Sequence, residues 1–252
     1  MKKMFFLLLG AILALPLQAQ PLLVAAASDL THCIDELAAA FAKQAPGAKV
    51  KVALGSSGHF YAQIRNGAPF DVLLSADMEY PRQLAKLGVA EGATLKPYAI
   101  GRIALWSLDP RLDPAASGMA VLRDPRVAKV AIANPAVAPY GRAAKAALER
   151  DGLWQAVQPR IVIGENVAQT AQFVQSGNAQ LGIVSLAMLN TPKAGGRYYV
   201  IPMTGLAPIE QGAIVTRHGA ANPLAPRFVL FMDSPAARAI LERHGFSLPP
   251  HD

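Results

Sequence analysis

The chain has 252 residues, a formal charge of +7 and 52% hydrophobic residues, which is enough for two lobes of roughly 100 residues each. Its lysines and arginines form no run and no aromatic-interleaved patch, which argues against a nucleic-acid-binding protein. The single cysteine, Cys33, excludes an intrachain disulfide, and its place on an apolar helical stripe predicts a buried thiol. The five histidines lack metal-ligand spacing, so no transition-metal site is expected.

The N-terminus has the pattern of a secretory signal peptide. Two lysines precede an apolar run, residues 4–15, which is too short to span a bilayer stably, and no basic stop-transfer patch follows it. Cleavage is predicted after Ala19, which makes residues 1–19 the signal peptide and lowers the charge from +7 to +5 by removing the two lysines. The next residue is Gln20 rather than the cysteine of a lipoprotein. We therefore expect a periplasmic protein without a stable membrane anchor.

Short apolar runs then alternate with segments of helical periodicity. The first block is predicted to contain strand 22–27, a helix that ends before Pro46, strand 49–54, helix 57–66, strand 71–74 and helix 80–87. The second block is predicted to contain strands 100–106 and 130–133, helix 140–150, strand 160–163, helix 167–176, and strands 182–184 and 198–201. Strand 212–216 and helices 223–232 and 235–244 end the chain.

This alternation predicts an α/β protein with mostly parallel sheets that helices cover on both faces. Two similar blocks in one chain favour two lobes with a ligand cleft between them. Hinges are expected near residues 98–101 and 205–211. Lobe 1 would then comprise residues 20–100 with 207–252, and lobe 2 would comprise residues 101–206.

Four predicted strands end in a small or polar turn that opens a helix, namely 27–29, 55–58, 134–141 and 164–167. Each turn would direct free backbone N–H groups and the positive end of a helix dipole into the cleft. Ser28, Ser57 and Tyr140 would add hydroxyl donors. A serine at one such turn is more commonly only an N-cap. Neutral donors that converge from both lobes, however, suit a fully deprotonated oxyanion, because they replace its hydration shell without a buried counter-ion.

A set of short motifs follows in a specific order along the mature chain. They are AAASDL at 25–30, GSSG at 55–58, GAPFDV at 67–72, SAD at 75–77, NP at 134–135, PYGRAA at 139–144, GENV at 164–167, GIV at 182–184 and GF at 245–246. With these motifs the chain resembles the molybdate-binding periplasmic proteins of ABC transporters, which have the type II solute-binding fold. The resemblance covers essentially the whole mature chain.

The resemblance implies that oxygens of molybdate or tungstate contact Ser28, Ser57, Tyr140 and the backbone of Val167, with no direct ligation of the metal atom. Some members carry a ligating tyrosine after the Gly-Ile-Val strand, where this chain has Ser185, so Ser185 is an alternative ligand. The resemblance also implies a monomer without catalytic residues. Its only bound group would be the transported ion, and its membrane partner would be the permease of an ABC importer.

The charged residues near these turns have simpler explanations. We expect Asp29 to stabilise the first helical turn and to point away from an anion. Arg142 is predicted to be solvated rather than to clamp the anion. Asp71 and Asp77 are predicted to cap turns or touch the hinge rather than to form a catalytic pair. Ser56 would be the ligand in place of Ser57 only if the alignment of this chain with the family it resembles were shifted by one residue.

Three other functions remain as alternatives. A protein of the same fold would bind sulfate, phosphate or a small organic anion. A secreted hydrolase would use Ser57 or Ser28 as its nucleophile, but the chain has no Gly-x-Ser-x-Gly elbow and no evident histidine partner. A regulatory sensor domain is opposed by the predicted export and by the lack of a DNA-binding segment.

Overall fold

A computed structural model describes residues 20–250, so the predicted signal peptide lies outside the described residues. Ten strands occur in this range: β1 Leu22–Ala27, β2 Val50–Gly55, β3 Val72–Ser75, β4 Lys96–Gly101, β5 Ile103–Ser107, β6 Val130–Ala133, β7 Ile161–Gly164, β8 Leu181–Ser185, β9 Arg197–Val200 and β10 Ile209–Val215. The helices in the same range are α1 Ile34–Gln44, α2 Ser57–Arg65, α3 Glu79–Lys86, α4 Pro114–Ser117, α5 Pro139–Arg150, α6 Trp154–Val157, α7 Val167–Gln175, α8 Leu186–Leu189, α9 Leu224–Phe231 and α10 Pro235–Arg243. Short 3-10 turns lie at Ser28–Leu30, Gly92–Thr94, Gly118–Arg123, Gln158–Arg160 and His218–Ala221.

The strands form two five-stranded sheets with the same plan. The first sheet has the order β2-β1-β3-β10-β4 and the second has the order β7-β6-β8-β5-β9. In the first sheet β1 pairs in parallel with β2 and β3, while β10 is antiparallel to both of its neighbours. The second sheet repeats this arrangement with β6 at its parallel centre and β5 reversed. Four strands of each sheet therefore share one direction, as the alternation of strands and helices predicts.

The chain passes twice between the sheets, and each passage leads into the reversed strand of the sheet that it enters. One passage joins β4 to β5 and the other joins β9 to β10. The lobe limits predicted from the sequence stay a prediction. The strands of both sheets fall within those limits, except that β4 extends one residue further, to Gly101.

The prediction of one strand over residues 100–106 is wrong. The segment contains the end of β4 and most of β5, which belong to different sheets and are separated at Arg102. A side chain at Gly101 would collide with the Tyr140 hydroxyl, so glycine allows the chain to pass close to α5 at this point. The exposed Arg102, next to Gly101, interrupts the apolar pattern at the break, and this local signal was overlooked in the prediction of one strand.

Hydrophobic clusters cover both faces of the first sheet. On one face α1 packs against α9, with the Phe41 and Phe228 rings 5.0 Å apart in an edge-to-face arrangement. On the opposite face Phe60 of α2 and Leu84 of α3 contact the sheet. A third cluster surrounds the second sheet and includes Trp106. Each fully buried Leu or Phe contributes about 1.5–3 kcal/mol of transfer free energy, so these cores hold the strand ends in fixed positions.

None of the helices within residues 20–250 combines the length and the apolar character that a bilayer-spanning segment requires.

Candidate functional site

A small cavity lies where strand ends of the two sheets face each other. It is lined by Ala27, Ser28, Asp29, Gly55, Ser56, Ser57, Ala76, Ala138, Pro139, Tyr140, Asn166 and Val167. The structure thus brings together four of the residues predicted from the sequence, which are Ser28, Ser57, Tyr140 and Val167. The cavity is far smaller than the roughly 300–1,000 Å³ pockets that hold drug-sized ligands. Any ligand bound here is therefore no larger than a small ion.

The turn after β2 uses its two serines differently. Ser56 is the N-cap of α2, and its Oγ accepts the His59 N–H at 3.4 Å. Ser57 begins the helix, and its Oγ accepts the Ala76 N–H at 2.9 Å. A hydroxyl that accepts in this way still has its own hydrogen to donate. Both serines therefore keep a hydroxyl hydrogen for a ligand, and the choice of Ser57 over Ser56 stays a prediction.

Val167 presents a free backbone N–H at the start of α7. The preceding residue, Asn166, caps the helix with its Oδ1, which accepts the N–H groups of Ala168 and Gln169 at 3.0 Å each. The Val167 N–H forms no hydrogen bond within the described part of the chain. A nine-residue helix thus points its positive end and an unused donor toward the cavity. The prediction of a backbone contact from Val167 has a clear local cause.

Tyr140 lies in the first turn of α5 and belongs to a buried hydrogen-bond network. Its hydroxyl donates to Asp29 Oδ2 at 2.8 Å. The Gln211 amide donates to Asp29 Oδ2 at 2.6 Å and to the Tyr140 oxygen at 3.0 Å. The Tyr98 hydroxyl donates in turn to Gln211 Oε1 at 2.7 Å. This network joins β10 and β4 of the first sheet to α5 beside the second sheet.

The expectation that Asp29 points away from the cleft is wrong. Asp29 lies in the first turn after β1, as predicted, but its side chain lines the cavity and is 1% exposed. Hydrogen bonds from Tyr140 and Gln211 hold the carboxyl group in this position. Burial raises the pKa of Asp29 to about 6, and the hydrogen bonds from Gln211 and Tyr140 partly oppose this shift.

Ser185 does not line the cavity. It is fully buried at the end of β8, and its Oγ caps α8 by accepting the Ala187 N–H at 3.3 Å. The Ser185 hydroxyl also lies beside the Tyr140 hydroxyl and lowers the pKa of this tyrosine, although burial raises that pKa well above its ordinary value overall. This geometry supports an indirect role for Ser185, through Tyr140.

Arg142 is exposed, and its guanidinium also forms contacts across the cleft. Its guanidinium forms a close ion pair with Asp77 and lies over the Tyr80 ring at 5.4 Å from the ring centroid. Asp77 also accepts the Tyr80 N–H at 3.0 Å and so caps the start of α3, as predicted. The predicted exposure of Arg142 is confirmed. Its contact with Asp77, which the sequence did not predict, arises because α3 approaches α5 across the cleft.

Asp71 has the structural role that the sequence predicts. Its carboxylate accepts hydrogen bonds from the Leu23 N–H at 2.8 Å and from the Asn222 amide at 3.0 Å, and it contacts His218 at 3.0 Å. These bonds tie the start of β3 to β1 and to the segment after β10. Asp71 therefore does not form a catalytic pair with Asp77.

A direct backbone contact shows that the two sides of the cleft touch. The Gly58 N–H in α2 donates to the Val137 carbonyl, before α5, at 2.9 Å. A side chain at Gly58 would collide with this carbonyl and with the Tyr80 hydroxyl. Glycine at the end of the Gly-Ser-Ser-Gly turn thus permits the close approach that covers the cavity.

Sequence reasoning missed Gln211 as part of the site. The residue is fully buried within β10, and its amide connects Tyr98, Asp29 and Tyr140. The sequence gives little sign of this role, because Gln211 follows Glu210 and precedes the predicted strand 212–216. The role of Ala76, whose N–H binds Ser57, has no sequence signal.

The cavity lining contains Asp29 but no lysine, arginine or histidine. Within residues 20–250 no group of three or more His, Cys, Asp or Glu side chains is arranged to hold a metal ion. The available donors are hydroxyl and backbone N–H groups from both sheets. Such donors fit the oxygens of an anion rather than a bare metal cation.

Comparisons with known proteins agree with this architecture. A family model described as bacterial extracellular solute-binding protein matches residues 22–247. The molybdate-binding protein ModA of Rhodobacter capsulatus is 36% identical over 235 residues, which cover 93% of this chain and 91% of that protein. ModA of Azotobacter vinelandii is 37% identical over 243 residues, which cover 95% of each chain.

The solved structure of the Azotobacter vinelandii periplasmic molybdate-binding protein has the same fold. It matches with a TM-score of 0.83 at 37% identity and covers 91% of this chain and 100% of that chain. The predicted two-lobed binding-protein fold is thereby confirmed. This chain belongs to the bacterial extracellular solute-binding protein family.

Proposed function

We propose that this protein captures molybdate or tungstate in the periplasm and delivers the ion to the permease of an ABC importer. The observation that carries the proposal is the donor set of the cavity. The Ser57 hydroxyl from the first sheet and the Val167 N–H beside the second are both available to one small ion. The named relatives, which bind molybdate, support the same ligand.

The proposed contacts are the Ser28 and Ser57 hydroxyls, the Tyr140 hydroxyl and the Val167 N–H, all to oxygens of the ion. Selectivity would follow from the size of the cavity and from the fixed reach of these donors. Molybdate and tungstate carry the same charge and shape, so we expect the site to hold both. The ion is the transported ligand, and the proposed protein works as a monomer without any other bound group.

Binding without chemical turnover is part of the proposal. No histidine lines the cavity, and Ser57 Oγ already accepts a backbone N–H from Ala76, so a nucleophile–base pair is missing from the lining.

We further propose that the chain is exported by its signal peptide, with cleavage after Ala19. Closure of the two lobes over the ion would create the form that the permease recognises.

Calorimetric titration of residues 20–252 with molybdate, tungstate, sulfate and phosphate tests the ligand. We expect one-to-one binding of molybdate and tungstate, with much weaker binding of sulfate and phosphate. Phosphate is the most informative competitor, because hydrogen phosphate has an O–H group that would donate a hydrogen bond to an ionised Asp29, and molybdate has none. Folded protein that binds neither metal oxyanion would contradict the proposal, and tight binding of phosphate or sulfate alone would reassign the ligand.

A further inference from the structure

Asp29 lies where its negative charge opposes the proposed ligand. Asp29 lines the cavity, and its buried Oδ1 accepts no hydrogen bond of normal geometry within the described residues, although the nearby backbone N–H groups of Asp29 and Leu30 lower its pKa. The cavity lining provides no cationic side chain to offset the charge. An ionised carboxylate would therefore repel a dianion bound beside it, and the low-dielectric surroundings would strengthen that repulsion.

The hydrogen bonds around Asp29 also leave Tyr140 without a hydrogen for the ion. A phenol has one hydrogen, and Tyr140 donates it to Asp29 Oδ2 at 2.8 Å. The Gln211 amide donates to both of these groups, while Tyr98 occupies its carbonyl oxygen. Tyr140 thus accepts from Gln211 and donates to Asp29. It does not donate to an anion while this arrangement lasts.

We propose that Asp29 takes up one proton from solvent when the oxyanion binds, and that its hydrogen bond with Tyr140 then reverses. The neutral carboxyl group donates from Oδ2 to the Tyr140 oxygen, which frees the Tyr140 hydrogen for an oxygen of the ion. No covalent bond other than the new O–H of Asp29 is formed. Asp29 is in this sense a positioning residue that acts on the ion through Tyr140. The inference rests on the proposed function.

The surroundings of Asp29 make this protonation accessible near neutral pH. Burial raises the pKa of Asp29 to about 6 before any anion is present. A bound dianion raises the pKa further, because like charges disfavour the ionised form. At pH 7, protonating a group whose pKa is 6 reduces the apparent affinity for the ion by about tenfold. Removal of the direct repulsion between the Asp29 carboxylate and the dianion outweighs this loss.

The buried titratable groups around Asp29 do not account for a proton taken up at this pH. The histidines nearest to the site along the chain, His32 and His59, are distinguished from Asp29 by the Asp29→Asn variant. The titratable groups that face Asp29 are Tyr98 on β4, Tyr140 on α5 and the Cys33 thiol, and burial raises the pKa of each above its ordinary value. All three are therefore already protonated at pH 7. The helices α7 and α8, which also pack on this turn, carry no ionisable residue. Lys51 on the neighbouring β2 is exposed.

The number of protons is measured by titrating residues 20–252 with sodium molybdate at pH 7.5 in buffers of different ionisation enthalpy. The dependence of the observed heat on the buffer gives the protons taken up for each ion bound. We expect uptake approaching about one proton. We also expect the Kd to rise by up to about tenfold for each pH unit between pH 6.5 and 8, because the proton becomes scarcer.

The substitution Asp29→Asn supplies an N–H to Tyr140 without a charge and so imitates the protonated acid. We expect this variant to bind molybdate without proton uptake and with a Kd that is flat from pH 6.5 to 8. The matched control is Asp109→Asn, which changes a half-buried carboxylate paired with Arg111 outside the cavity lining. This control should keep the proton uptake and the pH slope of the unsubstituted protein.

The outcomes separate this inference from the proposed function. Molybdate binding by the unsubstituted protein without proton uptake overturns the inference and leaves the proposed function intact. Uptake that persists in Asp29→Asn also overturns it, since another group then takes the proton. A folded protein that gives no heat with either metal oxyanion removes the proposed function and the inference with it. If Asp29→Asn does not fold, the buffer series on the unsubstituted protein decides.

Discussion

Ser57 combines two properties that an anion ligand needs. Its side chain is buried beside the cavity, and the Ala76 N–H holds its oxygen in place so that the hydroxyl hydrogen remains available. Ser56, one residue earlier, also lines the cavity and also accepts a backbone N–H, from His59 at 3.4 Å. The ligand role of Ser57 is therefore a prediction that substitution tests.

Substitution of Ser57 by alanine is expected to weaken molybdate binding. A hydrogen bond to a charged partner contributes about 1.5–3 kcal/mol, which corresponds to roughly 10- to 150-fold in Kd. Calorimetric titration measures the change, and Ser176→Ala, at an exposed serine near the end of α7, is the control. Equal affinities of the two variants would contradict a ligand role for Ser57.

The four turns predicted from the sequence meet because parallel strands end at the same edge of a sheet. β1 and β2 deliver Ser28 and Ser57 to one side of the cavity, and the segments after β6 and β7 deliver Tyr140 and Val167 to the other. Each turn is recognisable from local sequence. The predicted helix and strand limits are accurate to a few residues, because the hydrophobic periodicity and the caps that set them are also local.

At the level of the element, the cap of α7 is expected to support binding as well as stability. Asn166→Ala removes the acceptor for the first helical N–H groups and should lower the free energy of unfolding by about 1 kcal/mol. Ser234→Ala removes the corresponding cap of α10, on a helix that does not line the cavity, with a similar loss of stability. Urea unfolding and calorimetry on both variants test this.

We expect only Asn166→Ala to weaken molybdate binding, because the Val167 N–H then loses its fixed direction. The two caps are matched in stability, so a general loosening of the fold would weaken binding in both variants equally. That result would contradict a specific role for the start of α7.

In the whole molecule, the described structure has its lobes in contact. The Gly58–Val137 bond, the Asp29–Tyr140–Gln211 network and the ion pair of Arg142 with Asp77 all cross the cleft. Such contacts form only when the cleft is closed. They would therefore slow the escape of a bound ion without touching it.

Arg142→Gln is expected to speed dissociation of the ion. An exposed ion pair contributes up to about 1 kcal/mol, so the dissociation rate constant should rise by about two- to fivefold while the association rate constant changes little. Stopped-flow measurement of tryptophan fluorescence during displacement by excess tungstate gives these rates. The control is Arg126→Gln, whose partner Asp124 lies on the same side of the cleft. Identical rates for the two variants would contradict a role for Arg142 in closure.

The sequence by itself determined the α/β class, the two-block plan, most element limits and four residues that meet at one cavity. All of these depend on periodicity, caps and turns within a few residues of each other. Only the tertiary structure decided that the segment 100–106 divides between two sheets, that Gln211 joins the site and that Asp29 lines the cavity. These features depend on which surfaces meet across the cleft. Residues far apart in the sequence make those contacts, for example Asp29 and Gln211, and no local pattern encodes them.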